Sequence, residues 1–304
     1  MEESEFIWMN NEFVPWKEAN IPALTKALHY GYAVFEGIRC YETSKGPALF
    51  RLQDHMKRLM NSAHIMQLKT PYKKEEYEKA CIEIIRKNKL TQAYVRPLIY
   101  LGYGALGMDI KGVPVDSLVA GFKFKTYLGE EAVKHGVKIK TSSYRRHNVN
   151  SMMVKAKTSG NYPNSILAKM EALNSGFADA LMLDQEGYVC ECTAENVFMV
   201  KNNILVTPPL MSALEGITRD SIMQIARDEK ISVEERLFTR DEMYTADEAF
   251  MTGTAAELTP IVNIDERIIG SGNPEHITKK LQKKYFDIVH GKVSKYKKWL
   301  TFVK

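Results

Sequence analysis

Lys157 stands in the run Lys157-Thr158-Ser159-Gly160-Asn161-Tyr162, between a strand-like stretch and the start of a helix. Most lysines are solvated charges. Among small polar residues, however, a lysine amine can condense with the aldehyde of pyridoxal phosphate and later carry a proton. Glu191 lies in Tyr188-Val189-Cys190-Glu191-Cys192-Thr193. On a strand, alternation puts Val189, Glu191 and Thr193 on one face and Tyr188, Cys190 and Cys192 on the other. A glutamate in such a strand has two uses. It can pair with a nearby Lys or Arg, or it can be the anion that keeps a pyridine nitrogen protonated, so that the ring accepts electrons from a carbanion.

A third candidate is Leu214-Glu215-Gly216-Ile217-Thr218-Arg219-Asp220, followed by Ile222, Ile225 and Ala226 at helical spacing. The amides of Ile217 and Thr218, with the Thr218 hydroxyl, can bind a phosphate at that helix start. An ordinary threonine cap explains the same residues. The turn Thr252-Gly253-Thr254-Ala255-Ala256 offers further amides, and Arg58 a cation. Gly102-x-Gly104-x-x-Gly107 matches the dinucleotide fingerprint, but Gly112 and Pro114 follow where the fingerprint needs a helix, so a loop near a pocket is expected instead. The Cys190-x-Cys192 spacing is not that of a structural zinc site, and no metal is expected.

The elements that must hold these residues are legible in outline. Asp54 reads as the N-cap of a helix carrying Met56, Leu59, Met60 and Ala63, and a second helix covers about 74 to 87. Tyr94 to Leu101 is rich in strand formers, with Pro97 suggesting a sheet edge or a bulge. Residues 161 to 175 read as a helix, with Pro163 near its start, Ile166, Leu167, Met170 and Leu173 on one face, and Gly176 as its stop. Strands follow at 180 to 183, 188 to 193, 197 to 200 and 204 to 206, with turns at 184 to 187 and at Asn202-Asn203. A helix near Thr218, a strand pair around Gly253 and a last helix over about 274 to 289 complete a mixed α and β chain.

A chain of 304 residues favours two domains. We expect a small N-terminal domain over 1–123, an interdomain loop over 124–134 and a large cofactor-binding domain over 135–304. The 42 Lys+Arg and 37 Asp+Glu are interspersed, which argues against a nucleic-acid partner, and the basic C-terminal stretch reads as a solvated helix face. The acidic N-terminus lacks the features of a secretory signal, and no apolar run is long enough for a membrane span. Four cysteines fit packed thiols in a reducing cytoplasm.

Taken together, the motifs resemble those of the branched-chain amino acid aminotransferases, enzymes of the fold type IV pyridoxal-phosphate family. The matching stretches run nearly end to end: LHYGYAVFEGIRCYE (28 to 42), FRLQDHMKRL (50 to 59), YVRPLIYLG (94 to 102), KTSGNYPNS (157 to 165), GYVCECTAENVF (187 to 198), SALEGITRD (212 to 220) and MTGTAAELTPI (251 to 261). The resemblance implies a two-domain α/β fold with the cofactor in the cleft between the domains, working as a homodimer or a higher homo-oligomer built from dimers on amino acids and 2-oxo acids. It implies that Lys157 carries pyridoxal 5'-phosphate, that Glu191 rather than Glu195 meets the ring nitrogen, and that Tyr162 lies beside the cofactor oxygen. Arg58, Ile217, Thr218 and Thr254 are implied for the phosphate. Tyr94 and the amides of Thr254 and Ala255 are implied for the substrate α-carboxylate. Phe35, Gly37 and Tyr162 would line the side-chain pocket, with Tyr30 and Met108 entering from a partner subunit. Arg96 and Tyr127 are implied for the second carboxylate of glutamate. Phe124 stands where the family's bacterial members tend to have tryptophan, and Cys192-Thr193-Ala194 replaces a more glycine-rich run; both bear on substrate range. A D-amino-acid aminotransferase or an aminodeoxychorismate lyase would keep Lys157 and Glu191, but the Tyr94-x-Arg96 pair and VFEGIRCYE favour the branched-chain group. A non-catalytic binding protein on the same scaffold would not need Lys157, Glu191 and Arg58 together.

Overall fold

The strand formers around Tyr94 build the middle of a sheet. In the computed structural model, which describes residues 3–104, 106–125 and 127–304, Ala93–Leu101 pairs along its whole length with antiparallel Val115–Lys123. Its other edge is shared by two short strands, Ala33–Phe35 opposite residues 98–100 and Ile38–Thr43 opposite 93–95. Pro97, expected at an edge or a bulge, is therefore in a central strand. It faces the gap between the two short strands, where its carbonyl accepts the Glu36 N–H at 2.9 Å. The N and O of one residue in an antiparallel strand face the same neighbour, so the missing N–H is lost at the gap and not from the ladder to 115–123.

This sheet belongs to the first of two compact units, which comprises Met1–Lys125, Ala156–Gly160 and Ile288–Lys304; the second comprises Thr126–Lys155 and Asn161–Asp287. Residues 156–160 and 288–304, expected within the large domain over 135–304, group with the first unit. Leu300–Phe302 pairs with Gly46–Phe50 and so ties the end of the chain to its beginning. The short helix Glu130–His135 starts within the stretch expected as an interdomain loop, 124–134, and ends one residue beyond it.

Two helices cover the first sheet. Lys74–Lys87 has the expected bounds, and the Glu76 carboxylate closes its first turn by accepting the Lys73 N–H at 2.7 Å. Leu52–Ile65 starts before the expected cap: Arg51 is the N-cap, at φ +53°, and Asp54 sits in the first turn paired with Arg51. Met56, Leu59, Tyr77, Cys81 and Ile84 meet Ile38, Val95 and Val119 in the core between helices and sheet.

In the second unit, Asp179–Leu183 lies between Val137–Thr141, parallel, and Val189–Cys192, antiparallel. Asn196–Lys201 pairs with Glu248–Gly253, which pairs with Glu257–Ile264. Asn202 and Asn203, at φ +51° and +63°, make the expected tight hairpin to Ile204–Thr207. A register shift between Val189 and Glu191 interrupts the strict alternation assumed for that strand, and all four of its residues are buried. The helix Tyr162–Asn174 packs its small residues, Ala168 and Ala172, against Phe177, Ala180 and Met182. Its large apolar residues Ile166, Leu167, Met170 and Leu173 stand 48–58% exposed, so the apolar stripe that marked the helix is not its inner face. On the last helix, His276–Val289, Lys279, Lys280 and Lys283 do form a solvated face. No helix among the described residues is long and apolar enough to cross a membrane.

Candidate active site

Lys157 is fixed through its backbone by the first unit. Its N–H donates to Ser62 Oγ at 3.0 Å, and its carbonyl accepts the Phe35 N–H at 3.0 Å. Next to it, Thr158 Oγ1 donates to the Ala33 carbonyl at 2.8 Å, and a β-bridge joins Thr158 to Val34. Gly31 and Gly160 make this approach possible, because a Cβ at Gly31 would lie 3.2 Å from Gly160 Cα, at a backbone φ of +63°. The Lys157 amine sits 5.0 Å from the centre of the Phe35 ring. Lys155 is differently placed: its amine donates to the carbonyls of Leu210 and Ala213 and lies 3.7 Å from Glu215.

Beside Lys157 is a cluster the sequence did not announce. Glu36 is completely buried. Arg58 grips it with two N–H groups, Nε to Oε1 at 2.6 Å and Nη2 to Oε2 at 2.9 Å, and His55 Nδ1 reaches Oε2 at 2.6 Å. Burial alone would raise the Glu36 pKa, but Arg58 and His55 outweigh it and hold the carboxyl well below the usual range. An ionised carboxylate only accepts, so Nδ1 of His55 carries the proton. Burial keeps the His55 ring neutral by lowering its pKa; Glu36 pulls the other way, while the charges of Arg58 and Lys157 push it further down. A usable signal was present, since His55 and Arg58 are three apart on a helix and share a face.

Tyr94 and Arg96 share a face of their strand, as expected from a spacing of two. Tyr94 stacks on Phe122 and tilts against Phe124, with ring centres 5.7 and 5.2 Å away. Gly37 is required beside it: a Cβ there would lie 1.7 Å from the Tyr94 hydroxyl oxygen. The Arg96 guanidinium is held over Phe35 at 4.6 Å and Tyr94 at 5.3 Å, with one long contact of 3.4 Å from Nη2 to the Tyr94 hydroxyl. Tyr30, whose hydroxyl accepts the Gly107 N–H at 3.3 Å, is 40% exposed, and Met108 is 84% exposed. No helix follows the glycines in the described residues 106–114.

In the second unit Glu191 is buried and its Oε1 lies 2.8 Å from Arg146 Nε. Arg146 is itself steadied by Asn164 and Ser165, at 3.3 and 3.2 Å. The ion-pair reading of Glu191 is thus realised, with a partner that sequence reasoning did not name. Four residues on, Glu195 is buried beside Asp179 and accepts the Ala194 N–H at 2.9 Å. Desolvation, then the nearby Asp179 charge, push its pKa up to about 8. Asp179 pairs with Lys169 at 2.6 Å and accepts the Thr193 hydroxyl at 2.8 Å. The Lys169 amine also stands 5.6 Å from the Tyr127 ring, which is partly exposed.

The helix Ile217–Asp228 begins at Gly216 with no side-chain cap, so its first amides are not taken up by a capping oxygen. Gly216 leaves room there for Asn196, since a Cβ would fall 1.8 Å from Asn196 Oδ1. Ile217 and Thr218 are buried at this start. Thr254 and Ala255 form the turn between Glu248–Gly253 and Glu257–Ile264, which closes on Glu257 at φ +57°. Tyr162 opens the helix Tyr162–Asn174 and is partly buried. The expected residues divide between the units, with Tyr30, Phe35, Gly37, Arg58, Tyr94, Arg96, Met108 and Lys157 in the first and Tyr127, Tyr162, Glu191, Ile217, Thr218, Thr254 and Ala255 in the second.

Residues 33–264 match the family model of amino-transferase class IV. A branched-chain-amino-acid aminotransferase of Pseudomonas aeruginosa is 46% identical over 298 residues, which cover 98% of this chain and 97% of that protein. A crystal structure of a T.th. branched-chain amino acid aminotransferase with pyridoxamine 5'-phosphate superposes with a TM-score of 0.97 at 46% identity, covering 100% of both chains. The same enzyme complexed with N-(5'-phosphopyridoxyl)-L-glutamate gives a TM-score of 0.96 at 44% identity, again over 100% of both chains. The chain therefore belongs to the class IV amino-transferases and, within them, to the branched-chain-amino-acid aminotransferases.

Proposed function

We propose that this chain moves the amino group between L-leucine, L-isoleucine or L-valine and 2-oxoglutarate, with pyridoxal 5'-phosphate as cofactor and the residues above in the roles that follow. The donor set fits that cofactor. A backbone-anchored lysine, an arginine, a helix start without a side-chain cap and a buried carboxylate are the groups that an aldehyde, a phosphate and a ring nitrogen require. Bound there, the cofactor supplies a carbonyl carbon for the amino group and a ring that accepts the electron pair left at the substrate Cα.

Lys157 Nζ holds the cofactor between turnovers. The same amine would move the proton at the substrate Cα, and its backbone anchors would keep Nζ in reach. Glu191, paired with Arg146, would hold a proton on the ring nitrogen. Arg58, the Ile217 and Thr218 amides and Thr254 would hold the phosphate, and Tyr162 would orient the cofactor oxygen. Tyr94, with the amides of Thr254 and Ala255, binds the α-carboxylate.

The observation that carries the choice of substrates is at Arg96. Its Nε is buried without a hydrogen-bond partner, and no carboxylate pairs with it among the described residues. A cation laid against the faces of Phe35 and Tyr94 presents an aromatic wall to an aliphatic side chain and a charge to a second carboxylate. Tyr127 joins it in binding the glutamate carboxylate. Exposed Tyr30, Met108 and the apolar face of Tyr162–Asn174 support a homodimer in which Tyr30 and Met108 serve the partner's pocket. Four buried free thiols support a reducing cytoplasm.

A screen of amino donors against 2-oxoglutarate tests the reading. Leucine, isoleucine and valine should be the best donors and D-alanine inert. Faster turnover of D-alanine than of leucine, or pyruvate release from an aminated chorismate without transamination, would overturn it.

A further inference from the structure

Glu36 is a fully buried carboxylate with no role among the expected site residues, yet it makes three short polar contacts. Two come from Arg58, Nε at 2.6 Å and Nη2 at 2.9 Å, and one from His55 at 2.6 Å. Its backbone is held as firmly, since its N–H donates to the Pro97 carbonyl at 2.9 Å across the gap in the sheet. We propose that Glu36 is a positioning residue for the cofactor phosphate. By gripping one edge of the Arg58 guanidinium and being held in turn by neutral His55, it fixes the orientation in which Arg58 meets the phosphate. This rests on the reading of Arg58 as a phosphate ligand.

The physical case turns on two opposed effects. A carboxylate near a phosphate repels it, so Glu36 taken as a point charge should weaken binding. Arg58, however, has a long flexible stem, and a guanidinium that must be ordered on binding loses rotamer freedom. The two-point grip removes that loss before the ligand arrives and turns the planar fork to one angle. Glu36 is balanced by the Arg58 cation it pairs with, and His55 stays neutral. The carboxylate adds no net charge beyond that pair, and geometry decides the outcome.

The test compares pyridoxal 5'-phosphate with pyridoxal, which lacks the phosphate, as ligands of the full-length protein resolved of its cofactor. Affinities are read by absorbance and fluorescence titration. In Glu36→Gln the affinity for pyridoxal 5'-phosphate should fall at least about tenfold while that for pyridoxal stays unchanged, the scale of losing a charge-assisted contact. Glu36→Asp keeps the charge but withdraws it and should give an intermediate loss; it also serves if Glu36→Gln does not fold. Arg58→Met must show the same phosphate-selective loss. If it does not, the role of Arg58 fails and the proposal with it. If Arg58→Met is selective but the Glu36 variants bind pyridoxal 5'-phosphate normally or more tightly, or lose both ligands equally, Glu36 does not position the arginine.

Discussion

Glu191 and Arg146 form a buried ion pair, 2.8 Å from Oε1 to Nε, with Arg146 braced by Asn164 and Ser165. The pair has two consequences, one for stability and one for the reaction. Arg146→Met takes the cation from a buried carboxylate and should cost about 3–5 kcal/mol of stability. Glu191→Gln should bind the cofactor but slow proton abstraction about a hundredfold or more, since a preorganised charge partner is worth ~3 kcal/mol. The double variant should regain much of the stability and none of the rate. Denaturant melts and single-turnover kinetics read the two separately; full activity in Glu191→Gln would remove the residue from the chemistry.

Two lysines compete for the cofactor on paper, and their surroundings separate them. Lys155 is engaged by the Leu210 and Ala213 carbonyls and Glu215, whereas Lys157 is anchored through its backbone beside Phe35. Borohydride reduction of the holoenzyme followed by peptide mapping should place the pyridoxyl group on Lys157. A label on Lys155 would refute the assignment.

Arg96 should matter to one half-reaction only. Its guanidinium rests on Phe35 and Tyr94 with a buried Nε that makes no hydrogen bond, so an aliphatic side chain leaves it as it is and a second carboxylate completes it. Arg96→Met should impair the glutamate half-reaction by about 2–4 kcal/mol in transition-state terms and the leucine half-reaction far less. Equal losses with both donors, measured by single turnover, would point to a structural or α-carboxylate role instead.

Glu195 makes a prediction about pH. Its pKa is pushed up to about 8, by desolvation first and the Asp179 charge second. The folded protein therefore binds more protons at this site than the unfolded chain between about pH 4.5 and about 8. Stability from this group is full below that window and falls as pH rises through it. Glu195→Gln copies the protonated form, so its unfolding free energy should depend less on pH across the window, and activity at neutral pH should be kept. An unchanged pH–stability profile would show that Glu195 is ionised throughout. Loss of activity in Glu195→Gln but not in Glu191→Gln would reverse the roles of the two glutamates.

Whatever depends on near neighbours in the chain could be read from the residues alone. The bounds of Lys74–Lys87, the Asn202-Asn203 hairpin and the shared face of Tyr94 and Arg96 follow from caps, turn chemistry and strand period. Family motifs nominated the lysine, the glutamate and the phosphate group of residues. Where each charge finds its partner, and which elements meet, depends on the folded chain. Pro97 looked like an edge residue because its missing amide is a local fact, while the gap that accommodates it is made by two other strands. Asp54 looked like a cap because the left-handed Arg51 before it leaves no local signature. Ile166, Leu167, Met170 and Leu173 looked like a core face, but Ala168 and Ala172 set the close packing. Glu36 with Arg58 and Glu191 with Arg146 were hidden for one physical reason. A buried carboxylate must be paired, but which cation arrives depends on the whole path of the chain between them.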